Sequence, residues 1–278
     1  MYKSTLCLGT NNQFELSTEE QIKLFKKAGF DAFFTSWDDN IIRYRELADE
    51  LDLIYQSVHA PFNNAAKMWK SDTDAQQALN ELLCCVKECA KADVPLVVIH
   101  PYIGFEVGAN ISECGIENFR IVVEEAQSVG IKIAFENVEG EEYLDALMNN
   151  FKNYENVGFC WDSGHEMCYN KGKDMLSLYG DRLIATHIND NLGVSDSKGD
   201  IFWTDDLHLL PFDGIIDFQN VVSRLNKCGY DDILTFELNR YSKPNRHEND
   251  KYAKMPIEEY ISECYIRACR VAYMKNGI

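Results

Sequence analysis

The chain has 278 residues, of which 46% are hydrophobic and 26% are charged, a composition that is ordinary for a globular protein. Its formal net charge of −18, from 27 basic and 45 acidic side chains, disfavours both a nucleic-acid partner and an anionic membrane surface. No apolar run is long enough to span a bilayer and the first residues do not resemble a signal peptide, so we expect a cytoplasmic protein with no membrane partner. The ten cysteines include no CxxC pair, and we expect free thiols.

Short apolar runs alternate with helical patterns along the chain. We predict eight strands, at residues 5–9, 31–35, 53–58, 95–99, 131–135, 157–161, 183–186 and 233–236. We predict helices at residues 17–29, 40–51, 73–92, 112–129, 141–150, 173–179, 214–228 and 257–275. The first helix begins with a capping box, because Ser17 is followed three residues later by Glu20.

This alternation predicts the fold. Continuous apolar strands are typical of a parallel sheet that is buried on both faces. Eight strand–helix units in a chain of this length favour an α/β fold, the (β/α)₈ TIM barrel, as one domain over residues 1–278. An open doubly wound sheet is the weaker alternative, because no Gly-rich phosphate-binding fingerprint follows any of the strands.

Potential metal ligands stand at the ends of the strands. Strands three to eight end, in chain order, on His59, His100, Glu136, Asp162, His187 and Glu237. In a barrel these ends surround one pocket, and His165 and His208 follow two of them. Converging carboxylates and imidazoles suit a divalent cation, with Mn²⁺ or Mg²⁺ favoured by oxygen ligands and Co²⁺ or Zn²⁺ as alternatives. An unpaired carboxylate is costly at the end of an apolar strand, so we predict functional roles for Glu136 and Glu237.

Several of these positions belong to motifs that resemble one family. The motifs are His59-Ala-Pro, His100-Pro, Phe135-Glu136-Asn137, Asp162-Ser-Gly-His165, His187-x-x-Asp190-Asn191, Asp206-x-His208 and Phe236-Glu237. In this order, over roughly residues 55–240, they resemble the sugar phosphate isomerase/epimerase superfamily of xylose isomerase-like TIM barrels, which also includes endonuclease IV. The motifs are specific for the superfamily and not for one substrate.

The resemblance implies a role for each matching position. One divalent metal ion, Mn²⁺ as the first choice, would be held by Glu136, Asp162, His187 and Glu237. The two glutamates would also move the proton, and we predict His165 as a third catalytic residue. The resemblance places His59 and His165 beside the substrate, and we predict that His100 and His208 also contact it.

Three further residues are predicted to contact the substrate. Asp190 follows the seventh strand, where it could face the substrate or instead cap a loop. Trp37 follows the second strand, and Trp203 lies in the loop after the seventh. Their rings could pack on the apolar side of a sugar or take part in ordinary packing.

The implied chemistry is proton transfer through a metal-stabilised enediolate of a sugar or sugar derivative. Return of the proton gives an isomerase or an epimerase, whereas loss of water or an aglycone gives a dehydratase or lyase, and the sequence leaves these outcomes open. A rival is a phosphodiesterase like endonuclease IV, with three zinc ions, because all nine matching positions are filled. These are His59, His100, Glu136, Asp162, His165, His187, Asp206, His208 and Glu237.

The net charge of −18 and the lack of basic, aromatic-rich loops weigh against a DNA substrate. A binding or catalytically silent barrel is disfavoured because it would keep buried carboxylates for structure alone. We expect a small-molecule sugar as the partner, and a homo-oligomer, since partner subunits commonly close the pocket in similar proteins. Lys198, Arg240, Lys243 and Arg246 follow strands seven and eight, where barrels often bind phosphate, so a phosphorylated substrate stays open.

Overall fold

A computed structural model describes residues 4–105 and 110–277. Its strands are β1 Leu6–Gly9, β2 Ala32–Ser36, β3 Ile54–His59, β4 Leu96–Ile99, β5 Lys132–Glu136, β6 Val157–Asp162, β7 Leu183–His187 and β8 Leu234–Phe236. The strands pair in parallel with their neighbours in the chain, and β8 also pairs with β1. The predicted strands are confirmed, and their ends differ from the predicted ones by at most one residue.

The barrel closes between β7 and β8 just beyond the end of β7. Ile188 forms a parallel bridge with Phe236, and its N–H donates to the carbonyl oxygen of Thr235 at 2.7 Å. The N–H of Glu237 in turn donates to the carbonyl of Ile188 at 3.4 Å. The predicted (β/α)₈ TIM barrel is thereby confirmed.

Helices follow the strands and form the outer layer. They are α1 Thr18–Ala28, α2 Ile41–Leu51, α3 Thr73–Lys91, α4 Glu113–Ser128, α5 Glu141–Asn150, α6 Ser163–Cys168, α7 Met175–Tyr179, α8 Phe218–Lys227, α9 Asp250–Ala253 and α10 Ile257–Asn276. The short helices α6 and α9 were not predicted. The prediction that a helix begins at residue 214 was wrong, because Asp217 caps α8 by accepting the N–H groups of Gln219 and Asn220.

The apolar residues form one large outer cluster and small inner clusters. The outer cluster lies between the strands and the helices and contains the bulky side chains, Phe135, Phe159 and Trp161 among them. The interior of the barrel is filled by Leu96, Val98, Ala134, Cys160 and Ala185 on one side and by Cys7, Ala32 and Phe34 on the other. All ten cysteines are free thiols, as expected. Within the described ranges, no helix combines the length and hydropathy needed to cross a bilayer.

The capping box predicted at the start of α1 is present. The N–H of Ser17 donates to Glu20 Oε2 at 2.9 Å, and the N–H of Glu20 donates to Ser17 Oγ at 3.3 Å. Ser17→Ala should lower the free energy of unfolding by about 1 kcal/mol, because it leaves a helix N–H without its cap. Urea denaturation measures the change. Ser262→Ala on the exposed side of α10 is the matched control, and an equal loss in both variants would contradict the capping role.

Candidate active site

The period of the strands places the potential ligands inside the mouth of the barrel. Residues two apart on a strand face the same side. Each interior residue of four neighbouring strands is therefore followed, two positions later, by a ligand: Val98 by His100, Ala134 by Glu136, Cys160 by Asp162 and Ala185 by His187. Because all strands run in the same direction, these side chains meet at the carboxyl end of the barrel.

Glu136 is the centre of the site. Its Oε1 lies 2.9 Å from His187 Nδ1 and 3.4 Å from His165 Nδ1, and its Oε2 lies 3.3 Å from Nε2 of both His59 and His100. The side chain is fully buried, and among the described residues no group donates a hydrogen bond of good geometry to Oε2. A buried carboxylate oxygen without a donor is unusual and fits a cation ligand.

Four residues form a compact cluster, which we call the floor cluster: Glu136, Asp162, His187 and Glu237. One ligand atom from each lies within 4.8 Å of the others, and His187 Nδ1 is 3.1 Å from Glu237 Oε2. Phe34 stacks on the ring of His187 at 4.9 Å, which fixes the plane of the imidazole. Three carboxylates and one imidazole form a hard donor set that fits a divalent cation.

Two more groups of ligand type flank the floor cluster. One group consists of His59, His100 and Glu136, so it shares Glu136 with the floor cluster. His165, Asp206 and His208 form the other, with Asp206 Oδ1 at 2.8 Å from His208 Nε2 and 3.5 Å from His165 Nε2. All nine positions of the rival prediction therefore lie together.

Mutual charge pairing sets the protonation of these groups. Burial disfavours the charged form of His208, but the carboxylates of Asp206 and Glu237 outweigh it and raise its pKa to about 9. Burial likewise disfavours ionised Glu237, yet the nearby His187 and His208 lower its pKa to about 2. At neutral pH, Glu237 is therefore a carboxylate and His208 is a cation.

A cavity of about 270 Å³, which we call the inner cavity, lies above the floor cluster. Of the predicted site residues, it is lined by His59, His100, His165, His208, Glu237 and Trp203. Glu136, Asp162 and His187 lie beneath this lining and are buried. The structure thus separates a cavity wall of imidazoles and Glu237 from a deeper set of ligands.

Asp190 has a structural role instead of the predicted contact with a substrate. Its carboxylate is fully buried and accepts four backbone N–H groups at 2.8–3.0 Å, from Asn191, Phe212, Gly214 and Ile216. All its strong acceptor sites are engaged by the loop. Asp190 is therefore not part of the substrate site that we propose.

Trp37 does not line the inner cavity. Its indole N–H donates to Glu88 Oε2 on α3 at 2.7 Å, and its ring packs against the outer apolar cluster. The prediction of a substrate contact for Trp37 is not supported, because the hydrogen bond holds the ring against α3.

Of the four basic residues considered for phosphate, only Lys243 lines the inner cavity. Its Nζ lies 3.7 Å from Asp206 Oδ2 and 5.4 Å from the ring centre of Trp203. Arg240 donates to a backbone carbonyl at 2.6 Å, and Arg246 pairs with Asp205. Arg240 and Arg246 are thus engaged away from the inner cavity, and Lys243 is the one of the four that lines it.

Two residues near the ligands were missed in the sequence. Glu139 is buried, lines the inner cavity and accepts the N–H of Gly104 at 2.9 Å. Its position three residues after Glu136, at the same strand end, was the available signal. Cys160 forms a further group of possible ligands with Glu136 and His187 of the floor cluster, and its position two residues before Asp162 was the signal.

Known proteins share this architecture. Inosose isomerase of Bacillus velezensis is 24% identical over 285 residues, which cover 94% of this chain and 99% of that protein. The chain spans less than half of two other curated relatives, 44% of one and 45% of the other. The solved IolI protein with a bound zinc atom superposes with a TM-score of 0.76 at 21% identity, covering 97% of this chain and 98% of that one.

The D-psicose 3-epimerase from Clostridium cellulolyticum H10, solved with D-tagatose, superposes with a TM-score of 0.69 at 16% identity and covers 96% of this chain and 99% of that one. At such identities the two solved structures establish the fold alone. A family model described as a xylose isomerase-like TIM barrel matches residues 22–258, which is most of the chain. The chain therefore belongs to the family of xylose isomerase-like TIM barrels.

Proposed function

We propose that this protein is a divalent-metal-dependent isomerase or epimerase of a sugar or sugar derivative. The observation that carries the proposal is the floor cluster, with three carboxylates and one imidazole directly below a cavity walled by imidazoles and Glu237. The similarity to an inosose isomerase and to a D-psicose 3-epimerase supports the reaction class. The partner is then a small molecule, and a homo-oligomer stays a prediction for light scattering to test.

Mn²⁺ is the first candidate for the cation, because oxygen ligands outnumber nitrogen ligands in the floor cluster. Mg²⁺, Co²⁺ and Zn²⁺ are the alternatives, and zinc is the metal bound by the similar IolI protein. When bound, the cation would supply positive charge beside the carbonyl and hydroxyl oxygens of the sugar.

The side chains supply proton transfer and orientation. Glu237 reaches the inner cavity as an ionised carboxylate, so it is the group placed to remove a carbon-bound proton. Glu136 and His165 are the candidates for returning it. His208, held as a cation by Asp206, is placed to donate a hydrogen bond to a substrate oxygen. Return to the neighbouring carbon gives isomerisation, and return to the opposite face gives epimerisation.

Elimination from the same intermediate, as in a keto-sugar lyase or dehydratase, uses the same groups. A trinuclear phosphodiesterase is the second candidate, favoured by the two additional ligand groups that flank the floor cluster. The net charge of −18 opposes it, because binding of a nucleic acid requires clustered basic residues.

Metal content and isotope exchange together test the proposal. Protein purified without chelator should contain about one equivalent of a divalent metal by elemental mass spectrometry. Manganese-loaded protein should catalyse solvent deuterium incorporation into a ketose or keto-cyclitol of a substrate panel, and chelator-treated protein is the control. About three equivalents of zinc with cleavage of abasic-site DNA would instead establish the phosphodiesterase. Failure to bind any metal after a manganese or zinc soak would overturn both.

The affinity for Mn²⁺ should fall as the pH is lowered through about 6. In the metal-free protein burial raises the pKa of Asp162 to about 6, and a metal binds only the ionised carboxylate. Protons therefore compete below that pH, and we expect at least about tenfold weaker binding at pH 5 than at pH 7. Calorimetric titration measures the affinity, with circular dichroism as the control for folding. An affinity that is constant over this range would exclude Asp162 as a ligand.

A further inference from the structure

A second cavity of about 530 Å³, which we call the outer cavity, lies beside the inner one. Phe105, Glu139 and Trp203 line both cavities. The two cavities are therefore neighbours, and these three side chains form the boundary that they share. The volume of the outer cavity is within the usual range of small-molecule sites.

The wall of the outer cavity is rich in aromatic side chains. These are Tyr102, Phe105, Tyr143, Phe202 and Trp203. Tyr102 and Tyr143 stack on each other with ring centres 4.1 Å apart, which makes that part of the wall rigid. Phe202 and Trp203 are exposed, 54% in the case of Trp203, although apolar rings that line a cavity are stabilised when something covers them.

The charges and the shape of the outer cavity limit the kind of ligand that it can bind. Glu139, Glu142 and Asp200 face a single ammonium group, that of Lys171, so an anion such as a phosphate is disfavoured. Gly140 has a φ of +72°, and a Cβ atom there would lie within 2.9 Å of Tyr143. Glycine at this position thus lets the stacked tyrosines pack against the backbone, and the cavity volume of about 530 Å³ is sufficient for an uncharged ring.

We propose that the substrate is a glycoside whose sugar ring carries a ketone beside a hydroxyl group, with that sugar ring in the inner cavity and a second, uncharged ring in the outer cavity. The proposal rests on the proposed function and adds the substrate class. Trp203 is placed at the junction, where its ring can contact both parts of such a molecule. A second sugar and an aromatic aglycone share the chemistry that is needed, which is a flat ring with an apolar face.

Paired ligands test the proposal by calorimetry on the manganese-loaded protein. The probes are the methyl and phenyl β-glycosides of glucose, galactose, mannose and xylose, together with cellobiose, all used as unreactive analogues that lack the ketone. At least one phenyl glycoside should bind about tenfold tighter than its methyl partner, because binding in the outer cavity removes the phenyl ring from water. Cellobiose binding as tightly as the phenyl glycoside would identify a second sugar as the natural ring, and weaker binding would identify an aromatic aglycone.

Phe202→Ala is the sharpest variant, because Phe202 lines the outer cavity and not the inner one. It should remove most of the extra affinity that the phenyl glycoside has over the methyl glycoside. The affinity for the methyl glycoside should change by no more than about twofold. Trp203→Ala should weaken both ligands. Ile266→Ala, an apolar residue on α10 that is 58% exposed and lines neither cavity, is the control.

The outcomes separate this inference from the function on which it rests. Equal affinities for methyl and phenyl glycosides would contradict the proposal that the substrate is a glycoside. The same would follow if Ile266→Ala removed as much of the extra affinity of the phenyl glycoside as Phe202→Ala does. In both cases the isomerase proposal would stand. If neither the glycosides nor any free sugar binds, while the metal does, the sugar site itself is wrong and the glycoside falls with it.

Discussion

Glu237→Gln is expected to lower kcat/KM for the sugar substrate by roughly 10²–10⁴-fold at saturating Mn²⁺, the range for loss of a general base. The substitution keeps the shape of the side chain and removes the charge. Glu237 is the one member of the floor cluster that lines the inner cavity, and its pKa of about 2 keeps it ionised. Steady-state kinetics and solvent deuterium exchange measure the loss.

The effect should be specific to this carboxylate. Glu259→Gln, on the exposed first turn of α10, is the matched control and should retain full activity. His208→Ala should weaken activity but retain the metal, because His208 lies outside the floor cluster. If Glu237→Gln and His208→Ala lose the metal to the same extent, the single-metal site is wrong and a trinuclear site gains support.

Asp190→Ala should lower the free energy of unfolding by roughly 3 kcal/mol, the upper end of the scale for leaving a buried donor unsatisfied, because four donors lose their acceptor. The four N–H groups that the carboxylate accepts would be left without an acceptor in a site that excludes water. Urea denaturation at neutral pH measures the loss. Asp217→Ala is the matched control, because this exposed N-cap of α8 should cost only about 1 kcal/mol.

Activity should fall together with stability in Asp190→Ala. The backbone of Asp190 exchanges two hydrogen bonds with Leu209, at 2.8 and 2.9 Å, and Leu209 follows His208 directly. A loosened loop would displace the His208 imidazole from Asp206. Losses in Asp190→Ala no larger than those in Asp217→Ala would show that the loop keeps its shape without the carboxylate.

The strand ends were the part of the site that could be predicted from the sequence. Apolar runs of four to six residues stop on His59, Glu136 or Asp162, and the period of two then fixes which side chains face the interior. The carboxyl end of a parallel barrel brings such residues together whatever the loops do. For this reason the sequence predicts that the four side chains of the floor cluster lie at the same end of the barrel.

What depends on the paths of the loops could not be predicted in the same way. Asp190 was a reasonable substrate contact until the chain from 212 to 216 was seen to wrap around its carboxylate. The same contacts explain the helix that was predicted to begin too early, since Gly214 and Ile216 donate to Asp190 and not to a helix. Trp37 was misassigned because its partner, Glu88, is 51 residues away in the chain.

The place where β7 and β8 close the barrel, which we call the seam, lies next to the floor cluster. β8 has only three residues, and closure depends on the backbone of Ile188, which lies directly after His187, is bridged to Phe236 and accepts the N–H of Glu237. His187 and Glu237 thus stand on the two sides of the seam, with Nδ1 and Oε2 3.1 Å apart. A cation held by both residues would link β7 and β8 where the barrel closes. Its binding free energy would then also stabilise the closed barrel. The same few atoms would then serve both the proposed reaction and the closure of the barrel.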